Sequence, residues 1–503
     1  MKPDRLFIGI DSGTQGTKAV LFSEARGEII SQSHAEYSLI KNEQGGREQD
    51  PLTWITACEQ VIKAVLKDSK GLCSSVKGIG VSGQQHGMVA LDDTGNVIRP
   101  AKLWCDTQTS DQCRKITDRL GGEARVVQAT GNRMAEGFTA PKVLWMKDNE
   151  PENYERLATL LLPHDYINYW LTGEKKSEYG DASGTAYFDV VNRKWSKPVL
   201  DAIDDSGKLS DCLPDLILSQ DPCGYLKKDI SALLGFSHDV LVSSGGGDNM
   251  MAAIGTGNIE AGVVTASLGT SGTVYAYSDQ PVVDQTGELA SFCSSTGGWL
   301  PLVCTMNVTV ATELVRRLFN FSIEQMNQHA QMAVSGSQGI ILLPYFNGER
   351  TPPLPNGSGS YLGLNSINFT RQNICRSAME GPAMGLRYGI NILKRYGISP
   401  KEVRLTGGGA KSALWRQIAA DVFNCPVVSP CAGEAGALGA ALQSMWCWYT
   451  ERKDKTSVKA VTDRFVKLDP GTRCDPDEKN STVYNKLFDR YTSLNEALTP
   501  FFQ

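Results

Sequence analysis

Short apolar runs closed by small residues recur along the chain, interleaved with segments whose apolar residues return every three or four positions. Leu6-Phe7-Ile8-Gly9-Ile10 is nearly continuous, yields to the turn-rich stretch from Asp11 to Gly16, and is answered by Ala19-Val20-Leu21-Phe22. The pattern predicts two antiparallel strands joined by a Gly/Thr hairpin. Asp50 is then placed to cap, and Pro51 to open, a helix on which Trp54, Cys58, Val61, Ile62, Val65 and Leu66 share one face. A strand over 76–82 follows and runs into Gly83-Gln84-Gln85-His86-Gly87. Helix-like and strand-like segments keep alternating, which predicts α/β layers. Charge-rich residues 451–482 read as a surface excursion before a final helix over 483–498.

The first hairpin has an echo. Gly13-Thr14-Gln15-Gly16-Thr17 returns 256 residues later as Gly269-Thr270-Ser271-Gly272-Thr273, again between strand-like segments. A short run of small residues can recur by chance, but two related lobes would each offer such a hairpin. The glycine-rich stretch 243–257 precedes the second copy and is a natural crossing, so the lobes are expected at 1–257 and 258–503. A chain of 503 residues suits two large domains.

Hydrophobic residues at 41%, charged residues at 21% and a net charge of −5 describe an ordinary globular chain. They supply no overall attraction to nucleic acid or anionic membrane, so neither is expected as a partner. Thirteen cysteines, an odd number without CxxC spacing, argue against a zinc site and for small buried hydrophobes in a reducing compartment. The N-terminus lacks a signal-peptide core, and no run approaches the ~18 apolar residues of a membrane span. A cytoplasmic location is expected, with a homodimer as one compatible assembly.

Phosphate groups need backbone N–H donors and hydroxyls brought close, which glycine and threonine provide. Asp11-Ser12-Gly13-Thr14-Gln15-Gly16-Thr17-Lys18 offers both, with one carboxylate for Mg²⁺ and one cation; the alternative is a plain hairpin whose Asp begins a turn. Gly245-Gly246-Gly247-Asp248-Asn249 follows the apolar run Val240-Leu241-Val242, placing Asp248 at a strand-to-helix turn where glycines clear the space around its carboxylate. Such an aspartate could take a hydroxyl proton during phosphoryl transfer without an altered pKa, or could simply cap a helix. Thr406-Gly407-Gly408-Gly409-Ala410-Lys411-Ser412 has the strand, glycine turn, helix order that suits a nucleotide, yet neither Walker A nor Rossmann spacing. Gln84-Gln85-His86 ends a strand, an exposed place for side chains that hold hydroxyls, and Trp104-Cys105-Asp106 adds an aromatic face and a carboxylate.

Together these segments resemble the FGGY carbohydrate kinase family. The resemblance rests on Phe138-Thr139-Ala140-Pro141-Lys142-Val143-Leu144-Trp145, on Gly359-Ser360-Tyr361-Leu362-Gly363-Leu364 running on to Ser377-Ala378-Met379-Glu380, on 345–352 and on 434–441. It implies an α/β chain of two actin-like, ribonuclease-H-like lobes around a central cleft, with sugar held mainly by the first lobe and ATP mainly by the second. It further implies Asp248 as catalytic base and Asp11 beside Mg²⁺ and phosphate. Gln85, His86, Trp104, Asp106, Asp248 and Asn249 would then face the sugar; Thr14, Gln15, Lys18, Thr270, Gly408, Gly409 and Ser412 would face the nucleotide. The implied reaction is ATP-dependent phosphorylation of a ketopentose, D-xylulose ahead of D-ribulose, L-ribulose or glycerol. Some members carry Met where this chain has Gln85, and the Arg-Glu pair of the glycerol-specific members is absent. A partner-driven nucleotide switch is the competing reading, and it leaves the sugar-side residues unexplained.

Overall fold

A computed structural model describes residues 4–67 and 72–502. Its frame is two sheets of the same design. In the first, β1 (Leu6–Ser12), β2 (Gly16–Ser23) and β3 (Glu28–Glu36) form an antiparallel meander. The helix α1 (Pro51–Lys67) returns the chain to β4 (Val76–Gly83), which pairs parallel with β1 on its other side. The helix α2 (Pro163–Thr172) and a single helical turn, α3 (Tyr179–Ala182), come next. The antiparallel edge strand β5 (Pro222–Tyr225) and the parallel β6 (Leu241–Ser243) complete the order β5-β6-β4-β1-β2-β3, ahead of α4 (Asp248–Thr256).

The second sheet repeats the scheme with β7 (Val263–Ser267), β8 (Gly272–Ala276) and β9 (Leu302–Thr305) as the meander. After the long helix α5 (Arg371–Arg395), β10 (Glu402–Thr406) lies parallel to β7. Helix α6 (Ala413–Phe423), strand β11 (Val427–Pro430) and helix α7 (Ala435–Glu451) follow, then β12 (Leu468–Cys474) and α8 (Glu478–Leu498). The order β9-β8-β7-β10-β11-β12 matches the first sheet position by position. The repeated Gly/Thr pentapeptide therefore marks the same hairpin in each lobe.

Each predicted element of the first lobe forms for the reason read from its pattern. Trp54, Cys58, Val61, Ile62, Val65 and Leu66 are the buried face of α1, and the Asp50 carboxylate accepts the Leu52 amide at 3.0 Å. Strand β1 is covered on both sides: Leu6, Ile8 and Ile10 join the core under α1, whereas Phe7 joins a central core shared with α4 and α7. That explains why its run is continuous and not alternating. Between the lobes α7 lies directly on the first sheet. A Cβ on Gly9 or Gly80 would overlap the carbonyl oxygen of Ala437 or Ala440, and one on Gly439 would overlap that of Met251 in α4.

The charge-rich stretch departs from its reading as a surface excursion. It contains an amphipathic helix, Val458–Phe465, that buries Val461 and Phe465, and then β12, which closes the second sheet against β11. Strand β12 is short of apolar residues because it is an edge strand whose sequence, LDPGTRC, faces solvent along much of its length. The last helix starts at Glu478 rather than 483, because Asp477 caps it by accepting the Asn480 amide at 2.9 Å.

Candidate active site

Two strand ends and two helix starts meet at the middle of the cleft. Asp11 lies near the end of β1, opposite Lys18 on β2 and level with Ser82 on β4. The Ser82 hydroxyl donates to Asp11 Oδ1 at 2.7 Å. Burial pushes the Asp11 carboxyl up, the Ser82 bond and the Lys18 charge pull it down, and Glu434 pushes it up again. Lys18 is already paired, its ammonium lying 2.7 Å from Glu434 Oε2 just ahead of α7. Next to that pair, Gly436 keeps room open: a Cβ there would stand 2.9 Å from Asp11 Oδ2.

Asp248 is the first residue of α4, with Gly247 at the cap position, so the carboxylate is not the helix cap. Gly246 and Gly247 pair parallel with Ser82 and Gly83, which fixes the Asp248 backbone against the strand end that carries the Asp11 partner. Asp248 Oδ1 accepts the Asn249 amide at 2.7 Å and Asn249 Nδ2 at 2.9 Å. Burial and then the neighbouring Asp11 charge push its carboxyl up to about 7. The expectation of an unaltered pKa fails for these two causes, and the altered value suits a proton acceptor at neutral pH.

Gln84, Gln85 and His86 are not on an exposed strand end: Gln84 and Gln85 are buried, and the segments 137–142 and 179–185 hold His86 through the Lys142 ammonium and the Gly184 carbonyl. Gln84 is consumed internally, accepting from Thr14 Oγ1 at 3.1 Å and donating to Gln49 Oε1 at 2.9 Å. Gln85 Oε1 accepts Asn249 Nδ2 at 3.0 Å, which joins the sugar-side pair to the Asp248 turn. His86 adopts φ 65°, and its Nδ1 pairs with the Gly184 carbonyl at 2.7 Å. Burial, then the Lys142 charge, lowers its pKa to about 3. The ring is therefore neutral, Nδ1 donates, and Nε2 is left as an acceptor. Lys142 also donates to the His86 carbonyl at 2.7 Å, which gives the Phe138–Trp145 segment its place behind the site.

Trp104 is half-buried and donates from Nε1 to Thr14 Oγ1 at 2.9 Å, so Thr14 sits with the sugar-side residues. Asp106 is turned away from them. Its buried carboxylate accepts Lys102 Nζ at 3.0 Å, the Arg47 amide at 2.9 Å and the Gln108 amide at 3.1 Å, a set that folds its own loop.

On the second lobe the turns after β7 and β10 are tied by two backbone bonds, from Leu268 to the Thr406 carbonyl and from Gly409 to the Leu268 carbonyl, both at 2.9 Å. Thr270 and Gly408 are exposed on this pair of turns, and a Cβ at Gly408 would meet nothing within 4 Å. Gly409 is packed against Leu268 and Trp415. Ser412 caps α6, accepting from Trp415 at 3.3 Å and donating to Asn327 Oδ1 at 3.1 Å. Gln15 is exposed at the tip of the first hairpin.

The three glycines before Asp248 do more than clear its surroundings. A Cβ at Gly245 would lie 2.9 Å from His164 Cδ2, one at Gly246 3.0 Å from Glu178 Oε1, and one at Gly247 2.8 Å from Gln85 Cγ. His164, Glu178, Asp181, Ser82 and Glu434 are not picked out by the sequence reading. Ser82 carries a signal, since aligning the two strand ends at Ser12 and Gly83 brings it level with Asp11. The others come from segments that only the tertiary fold delivers here.

The fold, with Asp11 and Asp248 close enough to influence one another, belongs to a defined class. The FGGY family of carbohydrate kinases matches through its N-terminal domain at residues 6–255 and its C-terminal domain at residues 264–448. The chain belongs to that family and is a carbohydrate kinase. It is 44% identical over 490 residues to the xylulose kinase of Haemophilus influenzae, covering 97% of this chain and 98% of that one. The crystal structure of a xyloylose kinase from Brucella ovis superimposes with a TM-score of 0.91 at 28% identity, covering 99% of this chain and 100% of that one. A gluconate kinase from Lactobacillus acidophilus superimposes equally well, with a TM-score of 0.91 at 24% identity and 99% of both chains covered. The shared fold thus does not by itself choose the sugar. Among the described residues no helix is long and apolar enough to cross a membrane.

Proposed function

We propose that the chain transfers the γ-phosphoryl group of ATP to D-xylulose, giving D-xylulose 5-phosphate, with residues 1–257 holding mainly the sugar and 258–503 mainly the nucleotide. The observation that carries this reading is Asp248, a carboxylate poised near neutrality and bonded through Asn249 to Gln85. The attacking hydroxyl passes its proton to Asp248 as its oxygen bonds to the γ-phosphorus, and the bond to the bridging oxygen breaks to release ADP. Gln85, Asn249 and the neutral His86 offer acceptors and donors to sugar hydroxyls, and Trp104 offers an apolar wall.

Asp11 fits a magnesium ion. Ser82 and Lys18 oppose the burial that raises its pKa, and Gly436 leaves the space beside Oδ2 that a side chain would fill. When bound there, Mg²⁺ neutralises phosphate charge, and one carboxylate beside the phosphates suffices for it. The exposed turns at Thr270 and Gly408 leave backbone free for a nucleotide, whereas Lys18 and Ser412 act through Glu434 and the α6 cap. The relatives named xylulose kinase support the choice of sugar, as does the uncharged Gln85-His86 pair.

The test is a coupled assay of ADP release over D-xylulose, D-ribulose, L-ribulose and glycerol. D-Xylulose should give the highest kcat/KM. Preference for another sugar refutes the substrate, and ADP release that ignores added sugar refutes the kinase reading in favour of a switch.

A further inference from the structure

Strands β2 and β3 of the first lobe are joined by residues 24–27, whereas their counterparts β8 and β9 in the second lobe are joined by residues 277–301. A hairpin needs only a few residues to turn, so the extra length serves something other than the turn. It reaches the first lobe. Asn132 exchanges two bonds with Ser291, its Nδ2 donating to the Ser291 carbonyl at 2.8 Å and its Oδ1 accepting the Ser291 amide at 2.7 Å. The Cys293 amide donates to Ser183 Oγ at 2.9 Å, and Trp299 Nε1 donates to the Val190 carbonyl at 3.0 Å. The excursion stays fastened to its own lobe as well, the Leu300 amide donating to the Phe292 carbonyl at 2.8 Å and the Leu302 amide to the Ala290 carbonyl at 2.9 Å.

Between these two attachments the excursion delivers the buried Phe292 to His86. The two rings stack with centroids 6.0 Å apart and planes 23° apart, and Phe138 meets the same imidazole edge-on at 5.0 Å. The turn that accepts the His86 Nδ1 bond lies within the same contact. A Cβ on Gly184 would overlap His86 Nδ1 and stand 3.5 Å from Phe292 Cε1. Ser183, which holds the Cys293 amide, is the residue before Gly184. The Nδ1 bond alone fixes one atom of the ring. Because the last torsion of a histidine side chain has only a broad intrinsic preference, the plane of the ring is set by what packs against it, and the plane decides where Nε2 points. The backbone of His86 adds to this dependence, since φ 65° is a conformation that a non-glycine residue keeps only where its surroundings fix it.

We propose that Phe292, carried across from the second lobe, is a positioning residue for the sugar site: it sets the plane of the His86 ring, and with it the direction in which Nε2 meets a sugar hydroxyl. Both lobes then build the sugar site. The inference rests on the reading of His86 as a sugar-side group.

Phe292→Leu tests it, since the position stays apolar and loses its flat face. One misaligned hydrogen bond to a sugar hydroxyl should raise the sugar KM about ten-fold, with the ATP KM within about two-fold of the parent. Combining the change with His86→Ala separates positioning from packing, because a residue that acts through the His86 ring has nothing to act on once the ring is gone. In that background Phe292→Leu should move the sugar KM less than about two-fold. A rise as large as in the parent background, or lower thermal stability with the parent's sugar KM, is the outcome of a purely structural role and overturns the proposal. If Phe292→Leu does not fold, Ser183→Ala, which removes the hydroxyl that accepts the Cys293 amide, decides by the same two comparisons. The parent and the single His86 variant tell the failures apart. A parent inactive on every sugar defeats the functional reading, and a sugar KM unmoved by His86→Ala removes His86 from the site and this inference with it. An active parent that responds to His86→Ala, and whose Phe292 variant keeps the parent's sugar KM, defeats this inference alone.

Discussion

Replacing Asp248 by Asn should abolish turnover and stabilise the fold, an opposition that follows from how its charge is held. The Asn carbonyl can still accept both bonds from Asn249, so the helix start keeps its geometry. What disappears is a negative charge that burial and Asp11 disfavour, with Asp181 adding a further push. A carboxyl raised from 3.8 to about 7 corresponds to roughly 4 kcal/mol if fully expressed, at about 1.4 kcal/mol per unit. The side chain keeps some contact with solvent, which screens part of this, so a gain of about 1–2 kcal/mol is expected. The sign follows from linkage. The folded state holds its proton to higher pH than the unfolded state, so stability in the parent is full below about 3.8 and is lost as pH rises through about 7. The variant's advantage should therefore be near zero at pH 4, grow up to about pH 7 and then level off. Denaturant or thermal unfolding without ligands at pH 4, 6 and 8 measures it, alongside kcat, which should fall roughly 10²–10⁴-fold. A folded variant with parent-like turnover, or one less stable than the parent at pH 8, refutes the reasoning.

Asp11→Ala should lose most activity, with added Mg²⁺ restoring it only in part; a magnesium titration matching the parent's would reduce Asp11 to a hairpin residue. His86→Ala should raise the sugar KM well above any change in the ATP KM, and equal constants in parent and variant would remove His86 from the site. Gly9→Ala, far from any ligand, should destabilise by about 1–3 kcal/mol or more, because the added carbon overlaps the Ala437 carbonyl and α7 must lift from β1; an unchanged midpoint on unfolding would show that the helix is not seated there.

Much of this was legible in the chain because local rules and tertiary outcome agree. Apolar runs closed by glycine gave β1, β2, β4 and the turn before Asp248, and the pentapeptide echo gave the duplicated hairpin. Where the reading failed, the missing quantity was burial. Gln84 and Gln85 look exposed at a strand end, yet both are buried and bonded to residues distant in the chain, Gln84 to Thr14 and Gln49 and Gln85 to Asn249 and Met250, which no local pattern announces. Asp106 looks like a free carboxylate until Lys102, four residues back, is seen to share its buried loop. His164 is invisible for the same reason, since the two aspartates that flank it are brought by a helix start and a separate turn. The pKa of Asp248 likewise depends on Asp11, 237 positions away in the chain and one strand away in space.

The duplication also explains why the chemistry sits where it does. In each lobe a parallel strand, a short turn and a helix follow the same path, ending in α4 in the first lobe and α7 in the second. These helices pack backbone to backbone, Gly439 against Met251 and Gly255 against Ala435, so no side chains hold them apart. The contacts run in opposite senses along the two helices, so α7 begins at Ala435 against the last turn of α4, between Glu434 with its Lys18 partner and Gly436 beside Asp11, while α4 begins at Asp248. The positive end of the α4 dipole lies at Asp248 and that of α7 beside Asp11, a local positive field at each carboxylate. That field opposes part of the burial cost of Asp11 and Asp248, which allows two carboxylates to share a half-buried centre without a side-chain cation between them, Lys18 being held by Glu434. A Cβ at Gly9, Gly80, Gly255 or Gly439 would lift one helix from its seat. Glycines that read as conformational punctuation in the sequence thus act here through closeness of approach, and the spacing of the two carboxylates depends on it.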